Sequence, residues 1–468
     1  MKTPRISSLM AFVLAGAVSG YAGTASAAGF AVNTPSAQSM GNATAGGGAL
    51  AEDASTVWFN PASITRLPSQ TMASAHVLLP SFEFTDKGST QATGLGPIAL
   101  LPGAPTTADG GTDAVVPNFY YIRKLNEGWS FGLAVNAPFG LTTEYDNNWK
   151  GRYHAIDSEI IDFNINPALA YKVNEVFSVG AGVSLNYIDA KLSNAVDFAA
   201  VCGAFAGSPG PPVLCPNGAS PGQGAFDGFT ENEADDFSFG FNLGFFYEPS
   251  DRTRFSLAYR SQINHKLDGT ADFTEPTTLG GFAALGPLGT ALSGAFADGG
   301  ISVGASLPDT LSFSAFHMLT PKIGIMGDAT WTGWSDIPEL IIVYDNPVTT
   351  VDGTSVEVLG WEDVWRLSFG LNYYQSDRLT LRTGVAYDQS PVPNPTSRTP
   401  RLPDNDRIWV SIGASYAIND KISMDFGYTH EFIDDTNIAR SNDTGATLIG
   451  SYESDVDIFS LQVNYLFD

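Results

Sequence analysis

Asp457-Ile458-Phe459-Ser460-Leu461-Gln462-Val463-Asn464-Tyr465-Leu466-Phe467-Asp468 closes the chain and decides its fold. Apolar side chains alternate with mostly polar ones: Phe459, Leu461, Val463, Tyr465 and Phe467 fall on one face, with Ser460, Gln462, Asn464 and Leu466 on the other. Successive side chains of a strand point to opposite faces. The stretch therefore predicts a strand with one apolar and one mostly polar side, as in the wall of a transmembrane β-barrel.

The same alternation recurs along the chain, near residues 237–247, 366–373, 379–387, 408–416 and 422–429. Turn-forming residues separate such segments at six places, near residues 126–128, 172–175, 249–251, 320–321, 376–377 and 419–420. Longer loops are expected near 85–112, 140–156, 199–235, 273–300, 344–355, 389–405 and 434–450. Six turns join twelve strands, and one strand at each end makes fourteen. Residues 69–468 are thus predicted to form an all-β, 14-stranded antiparallel transmembrane β-barrel.

The first 27 residues have the features of a secretory signal peptide. Lys2 and Arg5 precede an apolar stretch over residues 9–20, and Ala25-Ser26-Ala27 is a typical cleavage site. The apolar stretch is shorter than the ~20 residues of a spanning helix. Export exposes the chain to an oxidising compartment, so Cys202 and Cys215 are predicted to form a disulfide that pins a loop.

Residues 28–68 do not alternate, and they are rich in glycine, alanine and serine. A fourteen-stranded barrel has a lumen too wide for its own side chains to fill. We therefore expect these residues to form a small N-terminal hatch inside the lumen. A disordered periplasmic tail is the alternative, but Trp58, Phe59 and Ile64 are apolar for a tail.

The formal net charge of −26 argues against nucleic acid as a partner, because binding nucleic acid requires a basic surface. Acidic residues are frequent in the predicted loops, where they serve solubility or bind divalent cations that bridge to lipopolysaccharide phosphates. The five histidines are dispersed, and no motif marks a catalytic, metal or cofactor site. The sequence thus predicts a protein that is not an enzyme, although spacing alone leaves a lipid-hydrolysing Ser/His pair open.

Two groups of residues are candidates for binding. By alternation Arg366 and Arg382 point into the lumen, where they pair with acids such as Asp388 or Asp425, or meet an anionic head group. The loop at 273–300 is apolar for an external loop, notably at Phe282, Leu285 and Leu288. Either it forms a short amphipathic helix with a hydrophobic landing groove, or it packs over the mouth of the barrel.

Several motifs, in order along the chain, resemble FadL-type outer-membrane transporters of long-chain fatty acids and other hydrophobic molecules. The resemblance covers most of the chain after the signal. The motifs are Ala28-Gly29-Phe30, Ala51-Glu52-Asp53-Ala54, Asn60-Pro61-Ala62, Ala137-Pro138-Phe139-Gly140-Leu141, Ser390-Pro391-Val392-Pro393, Pro403-Asp404-Asn405-Asp406-Arg407 and Tyr465-Leu466-Phe467.

This resemblance implies a monomeric barrel in the outer membrane, among lipid and lipopolysaccharide. Hydrophobic ligand is caught in an external groove, enters an internal pocket and leaves sideways through the barrel wall. The hatch signature Asn60-Pro61-Ala62 and the strand break at Pro138, Phe139 and Gly140 are the expected gate. Proline fits a break, because it lacks the N–H that a ladder needs.

One departure concerns the basic residues that meet a fatty-acid carboxylate in this family. Their places hold residues such as Asn194 and Glu357 here. Four other arginines are candidates to take over that role: Arg366, Arg382, Arg398 and Arg407. Alternatively, the cargo is neutral, such as an alkane or an aromatic hydrocarbon.

Overall fold

A computed structural model describes residues 29–93, 95–206, 219–346 and 353–467. The predicted signal peptide lies outside these residues. Within them, fourteen antiparallel strands close into a barrel, which confirms the predicted fold class. The strands are β1 (Gln70–Asp86), β2 (Ala114–Lys124), β3 (Trp129–Asn136 and Gly140–Glu144), β4 (Asp157–Lys172), β5 (Phe177–Asp197), β6 (Asp227–Ser250), β7 (Thr253–Arg260 and Ile263–Thr274), β8 (Gly299–Leu307 and Thr310–Thr320), β9 (Ile323–Thr332 and Glu339–Tyr344), β10 (Thr354–Val358 and Val364–Tyr374), β11 (Leu379–Asp388), β12 (Arg407–Ala417), β13 (Ile422–Ser441) and β14 (Ala446–Leu466).

The first and last strands close the barrel. β1 pairs with β14 from Gln70 opposite Leu466 to Asp86 opposite Gly450. All six predicted short turns lie between consecutive strands. Both ends of the barrel are therefore on the short-turn side, as the count of strands predicted.

The faces of β14 follow the alternation of its sequence. Phe459, Leu461, Val463 and Tyr465 are 40–52% exposed, whereas Ser460, Gln462 and Asn464 are buried. The apolar residues face outward, where a bilayer would cover them, and the polar ones face the lumen. This is the inverse of a soluble protein and matches the outward apolar band of an outer-membrane barrel.

Some predicted loops are shorter than expected. Residues 227–235 belong to β6, and most of 434–450 belongs to β13 and β14. The acidic residues in these stretches suggested loops, but the backbone ladder runs through 227–235 and, after an irregularity between Ile433 and Thr436, resumes up to Ser441. Charged side chains are compatible with a strand once it has left the apolar part of the membrane. The first long loop also contains three short strands, Thr90–Gln91, Ile98–Ala99 and Thr107–Asp109.

Residues 29–67, the hatch, fold inside the barrel. They contain three one-turn helices, α1 (Ala37–Met40), α2 (Gly47–Leu50) and α3 (Thr56–Phe59), and a 3₁₀-helix, Pro61–Arg66. Two longer helices lie in the external loops: α4 (Phe198–Ala206) and α5 (Pro287–Ala295). Short 3₁₀ turns occupy Phe282–Leu285 and Trp334–Asp336. None of the helices in the described residues is long and apolar enough to cross a membrane.

Candidate functional site

The wall of the barrel is interrupted between β2 and β3. β3 pauses between Asn136 and Gly140, around Pro138, as the sequence predicted. β2 pairs with β3 only at residues 119–124, and in the described residues no ladder joins β2 to Gly140–Glu144. The ladder between β2 and β3 therefore covers only the part of β3 before the break, which leaves a seam in the wall beside Gly140–Glu144.

The start of the hatch fills the part of this seam next to the break, whereas Gly110 and Gly111 contact Thr143 and Glu144 further along. The amide of Val32 donates to the carbonyl of Pro138 at 2.7 Å, and the amide of Gly140 donates to the carbonyl of Phe30 at 2.8 Å. Between these two bonds, Ala31 pairs with Phe139 as in an antiparallel ladder. Three hatch residues thus take the place of a strand edge beside the break.

Asn60 fixes the middle of the hatch to the wall. Its side-chain oxygen accepts from the amide of Ala62 at 2.8 Å and so caps the 3₁₀-helix. Its side-chain amide donates to the carbonyl of Phe245 at 3.0 Å and to the hydroxyl of Ser256 at 2.8 Å. Asn60 is completely buried. An amide is suited to this position because it donates and accepts at once.

An ion pair fixes the hatch to the barrel wall at a second point. Glu52 of the hatch accepts from Arg382 of β11 at 3.0 Å and from the hydroxyl of Tyr374 at 2.7 Å. The predicted inward direction of Arg382 is confirmed. Its expected partner, Asp425, is linked to it through the hydroxyl of Ser415. The sequence could not predict Glu52 as the direct partner, because only the docked hatch brings it to β11.

Small residues of the wall allow the hatch to approach closely. A Cβ atom added at Gly384 would overlap the carbonyl oxygen of Asn42, and one at Gly244 would overlap the side chain of Asn60. The alternation of the strands did not reveal this role of their glycines. The wall glycines that face hatch atoms in this way are Gly132, Gly180, Gly244, Gly370, Gly384, Gly413 and Gly427.

The other three predicted arginines also contact protein groups in this conformation. Arg366 donates to the hydroxyl of Thr44 in the hatch. Arg398 donates to the carbonyls of Asp404 (2.9 Å) and Asn437 (2.6 Å). Arg407 forms ion pairs with Asp404 and with Glu431, the latter at 3.0 Å. These contacts stabilise the fold, and a role of the four arginines in ligand binding stays a prediction.

The apolar external loop forms the helix that its sequence indicated. α5 and the turn Phe282–Leu285 pack against α4 of the preceding long loop. The ring of Phe198 lies 4.8 Å from the rings of both Phe282 and Phe296. Leu285 and Leu288 are only partly buried at its edge, so the loops offer an apolar surface, here called the outer groove. Cys202 is buried in α4, whereas Cys215 lies outside the described residues.

Aromatic rings connect the outer groove with the barrel interior. Phe273 lies 5.6 Å from Phe296 in the groove and 6.1 Å from Tyr344 on the inner wall. Tyr344 borders a large apolar cluster that includes Leu267, Ile301 and Trp361.

At its lower end this cluster reaches the seam. Phe30 of the hatch lies 5.7 Å from Phe139 at the strand break and 5.0 Å from Trp334. Apolar contacts are therefore continuous from the outer groove to the break in β3.

A cavity of about 110 Å³ lies beside the seam. Val32, Trp58 and Phe59 of the hatch line it, together with Pro138 and Phe139. Pockets for drug-sized ligands are usually ~300–1,000 Å³. A long cargo therefore needs more room than the hatch leaves in this conformation.

A charged cluster that the sequence did not predict lies near the other end of the apolar interior. Arg401 donates to the side-chain oxygen of Asn194 at 3.3 Å and lies 3.8 Å from Glu357. Asn194 and Glu357 stand where the resemblance led us to expect basic residues. A loop arginine has thus brought positive charge to the same place.

A model of one protein family, described as outer membrane protein transport protein (OMPP1/FadL/TodX), matches residues 18–467. The chain belongs to this family. The FadL-type resemblance is thereby confirmed, and the protein is a multi-pass β-barrel of the bacterial outer membrane.

Individual relatives match over nearly the whole length. A putative outer membrane protein of Neisseria meningitidis serogroup B is 32% identical over 451 residues, 94% of each chain. The long-chain fatty acid transport protein of Escherichia coli O6:H1 is 29% identical over 454 residues, again 94% of each. The crystal structure of a Pseudomonas aeruginosa FadL homologue superposes with a TM-score of 0.83 at 27% identity, over 94% of this chain and 100% of that one. The toluene transporter of Pseudomonas putida shares the fold, with a TM-score of 0.62 at 18% identity over 89% of this chain and 95% of that one.

Proposed function

We propose that this FadL-family barrel mediates passive uptake of long-chain fatty acids or other hydrophobic molecules across the outer membrane. Cargo binds in the outer groove, follows the aromatic contacts into the apolar interior and leaves sideways between β2 and β3. The observation that carries this proposal is the seam, which Phe30, Ala31 and Val32 of the hatch fill beside the strand break. Sideways exit suits apolar cargo, because it enters the bilayer without crossing bulk water.

The hatch is the gate in this proposal, with Asn60, Pro61 and Ala62 at its fixed centre. Val32 and Phe139 line the small cavity, so withdrawal of the N-terminal residues would enlarge the cavity and open the seam together. No energy source is required, since transfer of an apolar chain from water into the bilayer is itself favourable.

Uptake by cells tests the proposal. The protein is expressed in a Gram-negative strain that lacks its own fatty-acid transporter, and uptake of labelled palmitate and labelled hexadecane is measured. We expect uptake of at least one of them well above that of the empty vector. Uptake equal to the vector for both, with the barrel present in the outer membrane, would contradict transport. Mass spectrometry of the ligand that copurifies from membranes then identifies the native cargo.

We also propose that the barrel has no enzymatic activity and works as a monomer after removal of residues 1–27. Cys202 and Cys215 are proposed to be disulfide-bonded, which would hold α4 in the outer groove. Purified barrel that released fatty acid from phospholipid would contradict the first point. The mass of the purified protein, measured with and without reductant, checks both the removal of residues 1–27 and the disulfide between Cys202 and Cys215.

A further inference from the structure

Arg401 has a guanidinium group that the protein only partly satisfies. It extends from the loop between β11 and β12 to the inner wall, where it donates to the hydroxyl of Ser158 at 2.9 Å and the carbonyl of Asp157 at 3.1 Å. The residue is 8% exposed, and among the described residues its Nε has no hydrogen-bond partner. Burial lowers the pKa of Arg401, which indicates incomplete compensation of its charge.

Glu357 lies between Arg401 and a second arginine without making a tight contact to either. Its two carboxylate oxygens lie 3.8 Å from Nε of Arg401 and 3.5 Å from Nη2 of Arg440. Charge-assisted hydrogen bonds between such groups are normally ~2.7–2.9 Å. The Glu357 side chain is 26% exposed, so another group can reach it.

The surroundings of Glu357 are apolar on the lumen side. Glu357 is paired with Leu340 of β9, and opposite residues of an antiparallel pair share one face. Leu340, Ile342 and Tyr344 border the apolar cluster of the interior. A carboxylate at the edge of an apolar interior, facing guanidinium groups, is also the arrangement that a bound fatty acid would have.

We propose that Glu357 is an internal counterion that occupies the place of a cargo carboxylate beside Arg401 and Arg440. Anionic cargo can use this site only by displacing the Glu357 carboxylate, whereas neutral hydrophobic cargo passes without such exchange. Glu357 thereby lowers the preference of the pathway for fatty acids over neutral molecules of the same chain length. A competing charge is a common way to set specificity. The inference rests on the proposed function and specifies its cargo class.

Replacement of Glu357 by its neutral isostere tests this inference. Equilibrium binding of palmitate and of 1-hexadecanol to the purified full-length barrel is measured for wild type, Glu357→Gln and the control Glu339→Gln. Glu339 is an exposed acid of the same strand pair. We expect the palmitate affinity of Glu357→Gln to rise about tenfold or more, because a free guanidinium gains a charge-assisted bond to the ligand. Hexadecanol binding and both affinities of Glu339→Gln should not change.

The second variant Glu357→Gln/Arg401→Gln should lose the gain in palmitate affinity. If Glu357→Gln bound palmitate no more tightly than wild type while still binding hexadecanol, Glu357 would not be an internal counterion that competes with the cargo. If wild type bound neither palmitate nor hexadecanol, the proposed function would be overturned, and the inference with it. If Glu357→Gln does not fold, Glu357→Ala serves the same comparison, and palmitate should then raise its melting temperature more than that of wild type.

Discussion

Single residues of the wall determine how close the hatch can lie. Gly384 has no side chain where the backbone of Asn42 passes, and Gly244 leaves room for Asn60. Neither glycine has a positive φ angle, so backbone freedom is not the reason for their presence. What matters is that any side chain would overlap the hatch.

Gly384→Ala is therefore expected to displace the hatch. Overfilling a packed contact destabilises it by ~1–3 kcal/mol, which is enough to populate an undocked hatch. Conductance across planar lipid bilayers should rise relative to wild type. Gly304→Ala is the matched control, since a Cβ atom there meets nothing within 4 Å. Equal conductance of the two variants would contradict the close-approach argument.

Asp53 is expected to make hatch docking sensitive to pH. The carboxylate accepts hydrogen bonds from Ser55 and, at 2.8 Å, from Gln462 of β14. Burial, with a smaller contribution from the charge of Asp425, nevertheless raises the pKa of Asp53 from 3.8 to about 6. The carboxyl group of Asp53 thus binds a proton more tightly in the docked hatch than in an undocked hatch, where it is exposed to water. Protonation of Asp53 therefore stabilises the docked hatch by about 3 kcal/mol in total. This contribution is fully present below about pH 4 and is lost as the pH rises through about 6.

The frequency of hatch-opening events in planar bilayers, recorded at pH 4 and pH 7, checks this. Wild type should open more often at pH 7, whereas Asp53→Asn should open equally often at both. Asp377→Asn, in an exposed turn, should behave as wild type. An Asp53→Asn variant that kept the full pH dependence would assign the effect to another group.

Among the structural elements, strands were predictable and their partners inside the lumen were not. Alternation located the strands, and Pro138 located the break in β3, because both are local properties of the sequence. By contrast, Glu52 meets Arg382, and Arg401 meets Glu357, only after barrel closure brings distant segments together. No pattern within one segment carries that information.

A reversible crosslink tests whether the seam must open. Ala31 and Phe139 form the non-hydrogen-bonded pair between two flanking bonds, where Cα atoms are ~4.5 Å apart. That distance is suitable for a disulfide. Oxidised Ala31→Cys/Phe139→Cys should take up little cargo, and reductant should restore uptake. Each single cysteine variant is the control, and undiminished uptake by the fully oxidised pair would exclude exit through the seam.

The outer groove is expected to act in capture and not in later steps. Leu288→Glu places a charge at its partly buried apolar edge, so cargo should bind it several-fold more weakly. The concentration of cargo that gives half-maximal uptake should rise, while maximal uptake stays unchanged. Leu279→Glu, outside the groove cluster, is the control. A lower maximum with an unchanged half-saturation point would place Leu288 after capture.

As a whole molecule, the barrel is closed without help from the hatch. β1 and β14 pair over the full length of β1, and each strand is paired with both of its neighbours over at least part of its length. Deletion of residues 29–67 should therefore leave a folded barrel that is wide enough to pass small hydrophilic solutes. Heat-modifiable migration in gels checks folding, and swelling of liposomes in sugar solutions checks leakage. A deletion variant that did not fold would show that the hatch is part of the core.

The contact between hatch and wall also limits how such proteins can be recombined. The wall glycines and the hatch backbone fit one another, so neither the hatch nor the barrel wall can form a sealed pore without a matching partner. A chimaera that carries the hatch of a relative on this wall should seal only if the relative has similarly small residues at the facing positions. Compatibility between the two halves, more than overall sequence identity, should thus predict which hybrids are tight.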